Sequence, residues 1–324
     1  MTLIRRRFLT LAGAAVAAPA VSRVSWSQAY PNRQIRVVVM LAAGGGTDFL
    51  ARLTGEFVQR QLGQQMVVEN RGGAGGTIGI ETVMKSPADG YTVLFSNDNI
   101  ASAPQILRVG GDYLKELVPV VFIARQPLVW AVHQKLGINT MAEFIAAMKK
   151  SPGQGYATSG VGSNQHFLGA WFIKEAGLKM QHVPYKGAGQ AINDLIAGHV
   201  PIACLGPTSM MPHFANKTLR FLAQSTETRS STLPDTPTFQ EVGFKGMVLD
   251  QWFGVFVPTG TPKDVIARLN AEYGKSLKEQ KIRESMLKAA NEPVGGTPEQ
   301  FAAHVRNDTA KYARLAKELG IKGA

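Results

Sequence analysis

Cysteine is nearly absent from the sequence, with Cys204 as its single instance. One cysteine cannot form an internal disulfide, and it excludes zinc and iron–sulfur sites built from several cysteines. Cys204 stands in the apolar segment 201–205, which is typical of a buried strand, so we expect its thiol to pack in the core. The histidines show no HExxH spacing or other metal-binding pattern, and we expect neither a metal nor a cofactor.

Long hydrophobic runs and basic clusters are also missing. After residue 29, no stretch reaches the roughly 18 consecutive apolar residues that a membrane-spanning helix needs. The 324-residue chain has a net charge of +12, but no run of five Lys or Arg residues and no basic stripe alternating with aromatics. Nucleic acid is therefore not an expected partner. A hydrophobic content of 45% excludes a disordered chain and is sufficient for two lobes.

The segment 1–29 has the pattern of a signal peptide. A twin-arginine-like motif at 5–7 precedes a short apolar segment at 11–20, and small residues at 27–29 offer one of two candidate cleavage sites. This pattern predicts export to the periplasm. Passage through the general secretory route and an amphipathic N-terminal anchor are the alternatives.

The most informative stretch is a strand, a glycine turn and a helix over residues 35–53. Residues 35–42 are continuously apolar, glycines occupy 44–46, and apolar residues recur at helical spacing from Phe49. The first N–H groups of a helix have no internal partner, and the helix dipole is positive there. The turn is therefore a candidate site for an anion, either a carboxylate or a phosphate.

A second strand, glycine turn and helix follow at 155–176. Strands alternate with helices at the spacing of a mainly parallel α/β sheet, where ligands bind beyond the carboxyl ends of strands. If the turns at 43–48 and 159–164 face each other across a cleft, they aim two helix N-termini at one anion. The alternative is that the glycines only permit tight turns.

Neither turn completes a nucleotide-binding or hydrolase motif. The glycine pairs of 44–46 and 160–162 lack the third glycine of GxGxxG, and no Walker lysine stands before Ser163. Ser163 does not lie in GxSxG. An exported hydrolase that uses Ser163 and His166 is therefore the weaker alternative to a binding protein.

Eight short motifs lie in order along residues 30–324. They are YPNRQIRVVV at 30–39, the glycine turn with Asp48, VVENRGGAGG at 67–76, PADGYT at 87–92, GVGS at 160–163, VPYKG at 183–187, LPDTPT at 233–238 and PTGTP at 258–262. Together they resemble the Bug family, the extracytoplasmic solute receptors of tripartite tricarboxylate transporters.

This resemblance implies an α/β protein with two Rossmann-like lobes of the periplasmic binding protein type II fold and a ligand cleft between them. Lobe 1 is expected at 30–130 and 253–324, and lobe 2 at 131–252. The lobes are expected to close around a small carboxylated solute without catalysis. The expected partners are the membrane permease components of a tripartite tricarboxylate carrier, served by a monomeric receptor. A receptor that presents its ligand-bound form to a signalling protein is the alternative.

In such receptors the carboxylate is held by backbone N–H groups, hydroxyls and waters from the turns of both lobes. The ligand-binding residues that the resemblance implies are Ala43, Gly44, Gly45, Gly46, Thr47, Asp48, Ser96, Asn97, Ser159, Gly162, Ser163, Asn164, His166, Tyr185 and Thr208. Trp252, near the expected hinge, is a candidate to cover the cleft.

Two positions depart from the family pattern. Met40-Leu41 replace the usual Pro-Phe, which alters packing, and Asn97-Asp98-Asn99 stand where many relatives carry small residues and glycine. If Asp98 faces the cleft, it repels a second carboxylate and favours a ligand with an amine. If Asp98 caps the following helix, it says nothing about the ligand, and this is the interpretation we favour.

Overall fold

The computed structural model describes residues 30–321, so the predicted signal peptide lies outside the described residues. From Arg33 onward the chain forms one compact unit, to which all the elements below belong. In the part that the structure describes, no helix is long and apolar enough to cross a membrane.

The first sheet contains the N-terminal strands and two strands that return late in the chain. Its members are β1 (Ile35–Val39), β2 (Met66–Asn70), β3 (Thr92–Asn97), β4 (Leu117–Gln126), β10 (Gln251–Pro258) and β11 (Glu292–Pro293). Their spatial order is β11-β4-β10-β3-β1-β2. Because β1 pairs in parallel with β2 and β3, the carboxyl ends of these three strands meet at one edge. Strand β10 runs antiparallel to both β3 and β4.

The second sheet is formed by the middle of the chain. Its members are β5 (Val129–His133), β6 (Gly155–Thr158), β7 (Gln181–Pro184), β8 (Ile202–Leu205) and β9 (Leu219–Gln224), in the order β7-β6-β8-β5-β9. Strand β6 is parallel to β7 and β8, and β5 is antiparallel to β8 and β9. The predicted two-lobed α/β architecture is confirmed.

Helices connect and cover the strands. Within residues 30–321 they are α1 (Gly46–Leu62), α2 (Thr77–Met84), α3 (Asn99–Ser102), α4 (Tyr113–Glu116), α5 (Met141–Lys150), α6 (Asn164–Glu175), α7 (Ala188–Ala197), α8 (Met211–Ala215), α9 (Lys263–Ser276), α10 (Gln280–Lys288) and α11 (Pro298–Leu319). Helix α11 packs against β4, α3 and α6. It begins with a capping box, in which the Thr297 hydroxyl and the Gln300 side chain each accept from the other residue's backbone N–H.

The chain passes from one sheet to the other twice. It leaves the first sheet between β4 and β5, and returns between β9 and β10. The segments 125–133 and 248–256, whose sequences indicate strands that cross between the lobes, contain these two passages. The lobe boundaries at 130/131 and 252/253 stay predictions.

Cys204 packs as predicted. It is buried in β8, opposite Trp130 of β5. Burial raises the pKa of the Cys204 thiol, which keeps it protonated and unreactive.

Candidate functional site

A small cavity lies between the loops that follow the strands of the two sheets. Five of the predicted ligand-binding residues line it: Gly45, Gly46, Thr47, Asn97 and Ser159. Its volume is about 10 Å³, which holds a single water molecule. The loops of the two sheets are therefore closed against each other, and a solute of several carbon atoms requires them to move apart.

The N-terminus of α1 opens into this cavity. Gly45 is the N-cap residue and has an extended backbone, and no side chain caps the helix there. Gly46 permits a close approach, because a Cβ at this position would lie 2.9 Å from the Thr208 hydroxyl and 3.1 Å from the Phe253 ring. The first backbone N–H groups of α1 are thus available to an anion, as the glycine turn predicts.

The expectation that α6 aims a second free N-terminus at the same anion is wrong in this conformation, because side chains already accept from its first N–H groups. The Asn164 N–H donates to Asn99 Oδ1 at 3.3 Å, and the Gln165 N–H to Asn164 Oδ1 at 2.8 Å. The His166 N–H donates to Ser163 Oγ at 3.2 Å. Ser163 is therefore the N-cap of α6.

The second helix N-terminus at the cavity belongs to α7. Its N-cap residue is Gly187, with no side-chain cap, and Ala188 lines the cavity. A Cβ on Gly45 would lie 3.2 Å from the Cβ of Ala188. The sequence identifies 186–189 as a turn before a helix, but nothing in it shows that this turn meets the first glycine turn.

Buried side-chain donors without partners mark the site most directly. Asn97 Nδ2 and Ser159 Oγ line the cavity and are buried without a hydrogen-bond partner in the described part of the chain. Asn164 Nδ2 is also buried without a partner, but Asn164 does not line the cavity. Leaving a buried donor unsatisfied costs about 1–3 kcal/mol of free energy. A ligand that supplies a hydrogen-bond acceptor to these groups removes this cost. Within residues 30–321, no charged side chain lines the cavity.

Sequence reasoning missed two glutamines that line the cavity from β4 and β10, the two strands next to the passages between the sheets, which we call the hinge strands. Gln126, at the end of β4, donates from Nε2 to Gln251 Oε1 at the start of β10, at 2.5 Å. The Thr208 hydroxyl donates to Gln126 Oε1 at 2.7 Å and accepts from Asn291 Nδ2 at 3.0 Å. Thr208, a predicted residue, thus borders the site through Gln126. In the sequence, these two residues stand out only as a glutamine at the end of the β4 segment and a glutamine at the start of the β10 segment.

Asp48 stabilises the glycine turn and does not line the cavity. Its Oδ2 accepts from the Gly44 N–H at 3.2 Å, and its Oδ1 accepts from Arg52 and Asn70 at 3.0 Å. Burial alone raises the pKa of Asp48, but these hydrogen bonds outweigh it and hold the pKa below its usual value. Asp48 is therefore ionised and already supplied with donors.

His166 does not line the cavity and stacks on His182, with ring centroids 4.0 Å apart. Burial lowers the pKa of His166 to about 4, and burial together with His166 lowers that of His182 to about 3. His166 Nδ1 accepts from the Gly162 N–H at 3.4 Å, while Ser163 Oγ donates to the Gly160 carbonyl at 2.7 Å. Ser163 and His166 thus form no nucleophile–base pair.

Several other predicted residues hold the closed loops in place. The Gly44 carbonyl accepts from Ser209 Oγ at 2.7 Å, and the Gly162 carbonyl accepts from Ser102 Oγ at 2.6 Å. The Ala43 carbonyl faces Gly189. These contacts join loops that follow strands of different sheets.

Two of the predicted ligand-binding residues, Ser96 and Tyr185, form hydrogen bonds with residues that do not line the cavity. Ser96 Oγ donates to Met40 Sδ at 2.7 Å. Tyr185 donates from its hydroxyl to Asp194 Oδ2 at 2.5 Å.

Asp98 neither faces the cleft nor caps α3 with its side chain, so both alternatives considered for it are wrong. The side chain is fully buried, and its Oδ2 accepts from the Tyr312 hydroxyl of α11 at 2.6 Å. Burial and the nearby Asp308 raise the pKa of Asp98 well above its usual value. Its charge therefore does not act on the ligand cavity.

Trp252 does not cover the cleft. It is buried, and its Nε1 donates to Asp308 Oδ2 at 2.7 Å. Alternate residues of a strand point to opposite faces, and the neighbours Gln251 and Phe253 are the ones that line the cavity.

Comparisons with known proteins agree on the family. Residues 50–321 match the family described as "Tripartite tricarboxylate transporter family receptor". Protein BugT of Bordetella pertussis is 34% identical over 325 aligned residues, covering 98% of each chain.

Solved structures show the same fold. The periplasmic binding protein BugD is 31% identical with a TM-score of 0.87, over 90% of this chain and 99% of that one. Rpa4515 of R. palustris with adipate gives the same identity, score and coverage. MatC from Rhodopseudomonas palustris with bound malate is 25% identical with a TM-score of 0.84, over 88% and 99%. The chain therefore belongs to the tripartite tricarboxylate transporter receptor family, the Bug proteins, which are periplasmic solute-binding receptors and not enzymes.

Proposed function

We propose that this receptor captures a small carboxylated organic solute in the cavity between its two sheets and holds it by lobe closure. One observation carries the proposal: Asn97 Nδ2 and Ser159 Oγ, one from each sheet region, line the same cavity as buried donors without acceptors. A carboxylate has two oxygens that accept several hydrogen bonds at once, so one group can satisfy donors from both sides.

The electrostatics favour an anion without a buried counter-charge. The uncapped N-terminus of α1 contributes up to about 2 kcal/mol in a partly buried geometry. A hydrogen bond to a charged group contributes about 1.5–3 kcal/mol, against about 1 kcal/mol for a neutral one. Adipate and malate, the compounds named with two relatives, belong to the proposed class of ligand.

Binding requires an opening and a closing movement, because the closed cavity is smaller than any dicarboxylate. Opening breaks the bonds from Ser209 to the Gly44 carbonyl and from Ser102 to the Gly162 carbonyl. Closing over a solute brings the loops back together around it, with more space between them than in the solute-free cavity, and adds the contacts to the solute itself. The solute thus selects the closed form through its differential affinity for that form.

The proposal is tested by calorimetry and thermal unfolding of the purified protein with adipate, malate and the neutral analogue adipamide. A carboxylate at 100 times its Kd should raise the unfolding midpoint by roughly 5 °C, whereas adipamide should not. Absence of binding by any small carboxylate, or equal binding of adipamide, contradicts the proposal.

Ser159→Ala provides the sharper test. We expect it to weaken carboxylate binding by roughly tenfold to a hundredfold, because it removes a hydrogen bond to a charged group. The unliganded variant should be no less stable than the wild type, since the Ser159 hydroxyl has no partner to lose. The exposed Ser151, outside the cavity, gives the matched control Ser151→Ala with unchanged affinity. A Ser159→Ala variant that binds like the wild type contradicts the assignment of this hydroxyl.

We further propose that the receptor acts in the periplasm as a monomer and delivers its solute to the membrane components of a tripartite tricarboxylate carrier. The family to which the chain belongs supports this role. Light scattering tests the monomer. Reconstitution with the membrane components encoded nearby tests delivery, and a gene neighbourhood with a histidine kinase in place of those components favours the sensing role.

A further inference from the structure

A second and larger cavity lies on the hinge, outside the solute site. It has a volume of about 500 Å³ and is bordered by residues of β4, β10, β11 and α11. We call it the hinge cavity and define it by Phe122, Arg125, Asp250, Trp252, His304 and Lys311. This volume is in the range of small-molecule sites in proteins.

The hinge cavity and the solute cavity occupy opposite faces of the same strands. In β10 and the residue before it, Gln251 and Phe253 line the solute cavity, whereas Asp250 and Trp252 line the hinge cavity. In β4, Gln126 lines the solute cavity and its neighbour Arg125 the hinge cavity. The alternation of side chains along a strand produces this separation, so the two cavities are distinct sites.

The charged groups of the hinge cavity leave one carboxylate without a partner. Arg125 pairs with Glu292 at 3.1 Å, and Lys311 pairs with Asp308 at 3.2 Å. Asp250 makes no ion pair in the described part of the chain, and its Oδ1 is buried without a hydrogen-bond partner. Three carboxylates thus face two cations, which gives the cavity an excess of one negative charge.

The remaining wall is apolar and aromatic. Phe122 and Trp252 both contact the ring of His304, with centroids 4.7 and 5.6 Å from it. His304 Nε2 is also buried without a partner, and burial is the main cause that lowers the pKa of His304. Val294 closes the outer side and is 45% exposed. An apolar body fits against these rings, and an ammonium group gains from their faces.

We propose that the hinge cavity is a second ligand site, which binds a small primary amine with an apolar or aromatic body. The ammonium group donates to Asp250 and neutralises the excess charge, and the body packs on Phe122 and Trp252. This assignment is independent of the carboxylate site, because no residue that lines the solute cavity takes part in it.

The test is calorimetric titration of the whole protein with 2-phenylethylamine and with 3-phenylpropionate, which has a similar body and the opposite charge. We expect the amine to bind and Asp250→Asn to weaken it at least tenfold. Val294→Trp, which fills the outer part of the cavity, should also weaken the amine. Asp264→Asn, an exposed carboxylate outside the cavity, should leave it unchanged.

A spectroscopic readout locates the amine. The indole N–H resonance of Trp252 should shift on addition of 2-phenylethylamine and should stay in place with 3-phenylpropionate. Absence of amine binding to the wild type, equal binding to Asp250→Asn, or a Trp252 resonance that does not respond overturns the proposal. Thermal unfolding of each variant confirms that it folds. Carboxylate binding by Ser159→Ala tests only the solute cavity, whereas amine binding tests only the hinge cavity. Either proposal can therefore be contradicted while the other holds.

Discussion

Asp250 is held in an unfavourable ionisation state by its surroundings. Its pKa is raised to about 6, mainly by burial; Lys311 and Arg125 oppose this rise, and Glu292 and Asp308 add to it. An acid with a raised pKa in the folded state binds its proton more tightly there than in the unfolded chain. Ionisation of Asp250 therefore lowers the free energy of unfolding. At a pH where Asp250 is protonated in both the folded and the unfolded protein, this loss of stability is absent.

The resulting prediction concerns the pH dependence of stability. The penalty is absent below the unfolded pKa of 3.8 and fully present above about 6. Asp250→Asn should therefore raise the free energy of unfolding at pH 7, on the order of 1 kcal/mol after allowance for solvent screening, but not at pH 3.5. Urea unfolding of both proteins at the two pH values measures this difference. An equal difference at both values, or a destabilised variant at pH 7, contradicts it.

At the scale of elements, the start of α6 is stabilised by its own cap and not by a ligand. Ser163 Oγ accepts from the His166 N–H and donates to the Gly160 carbonyl, and all of these contacts are local. We expect Ser163→Ala to lose about 1 kcal/mol of stability and to lower the melting temperature by roughly 2–4 °C. Solute affinity should change far less than in Ser159→Ala.

Differential scanning calorimetry and titration with adipate measure the two effects of Ser163→Ala. Ser151→Ala, at the exposed end of α5, is the control and should melt like the wild type. A Ser163→Ala protein with unaltered stability but greatly weakened adipate binding would contradict the assignment of Ser163 as a helix cap.

The sequence predicts the turns and helix caps that depend only on residues close together in the chain. The glycine turn before α1 and the cap of α6 follow from residue type and spacing, and both occur. The direction in which the N-terminus of α6 points could not be predicted, because Asn99 of α3, which follows a strand of the other sheet, accepts from its first N–H group across 65 residues of sequence. Gln126 and Gln251 were missed for a similar reason: they are 125 residues apart, and only the pairing of β4 with β10 brings them together.

At the scale of the whole molecule, the hinge strands separate two environments. One face of β10 meets a neutral cavity with unsatisfied donors, and the other meets a charged cavity with one carboxylate in excess. On the neutral side the loops of the two sheets approach closely, and Gly45 and Ala188 leave little room for a further side chain. Closure of the molecule therefore depends on glycine at this contact.

Gly45→Val tests whether this contact permits closure. The backbone of Gly45 is extended, with φ of −100°, so valine is tolerated locally. Its Cβ would lie 3.2 Å from that of Ala188, and its two methyl groups add bulk at this contact. We expect the two sheets to fold normally, the loops to stay apart, and adipate affinity to fall at least tenfold, since only the closed form brings donors from both sides to one solute.

Small-angle scattering measures the closure of this variant directly. The radius of gyration of the wild type should decrease when adipate is added, and that of Gly45→Val should not. Gly274→Ala is the matched control, because a Cβ there meets no atom within 4 Å and lies in the interior of α9. It should bind adipate normally and be slightly more stable, since alanine favours the helix by about 1 kcal/mol. A Gly45→Val protein that still contracts around adipate would show that the solute is held without this contact and that closure takes another path.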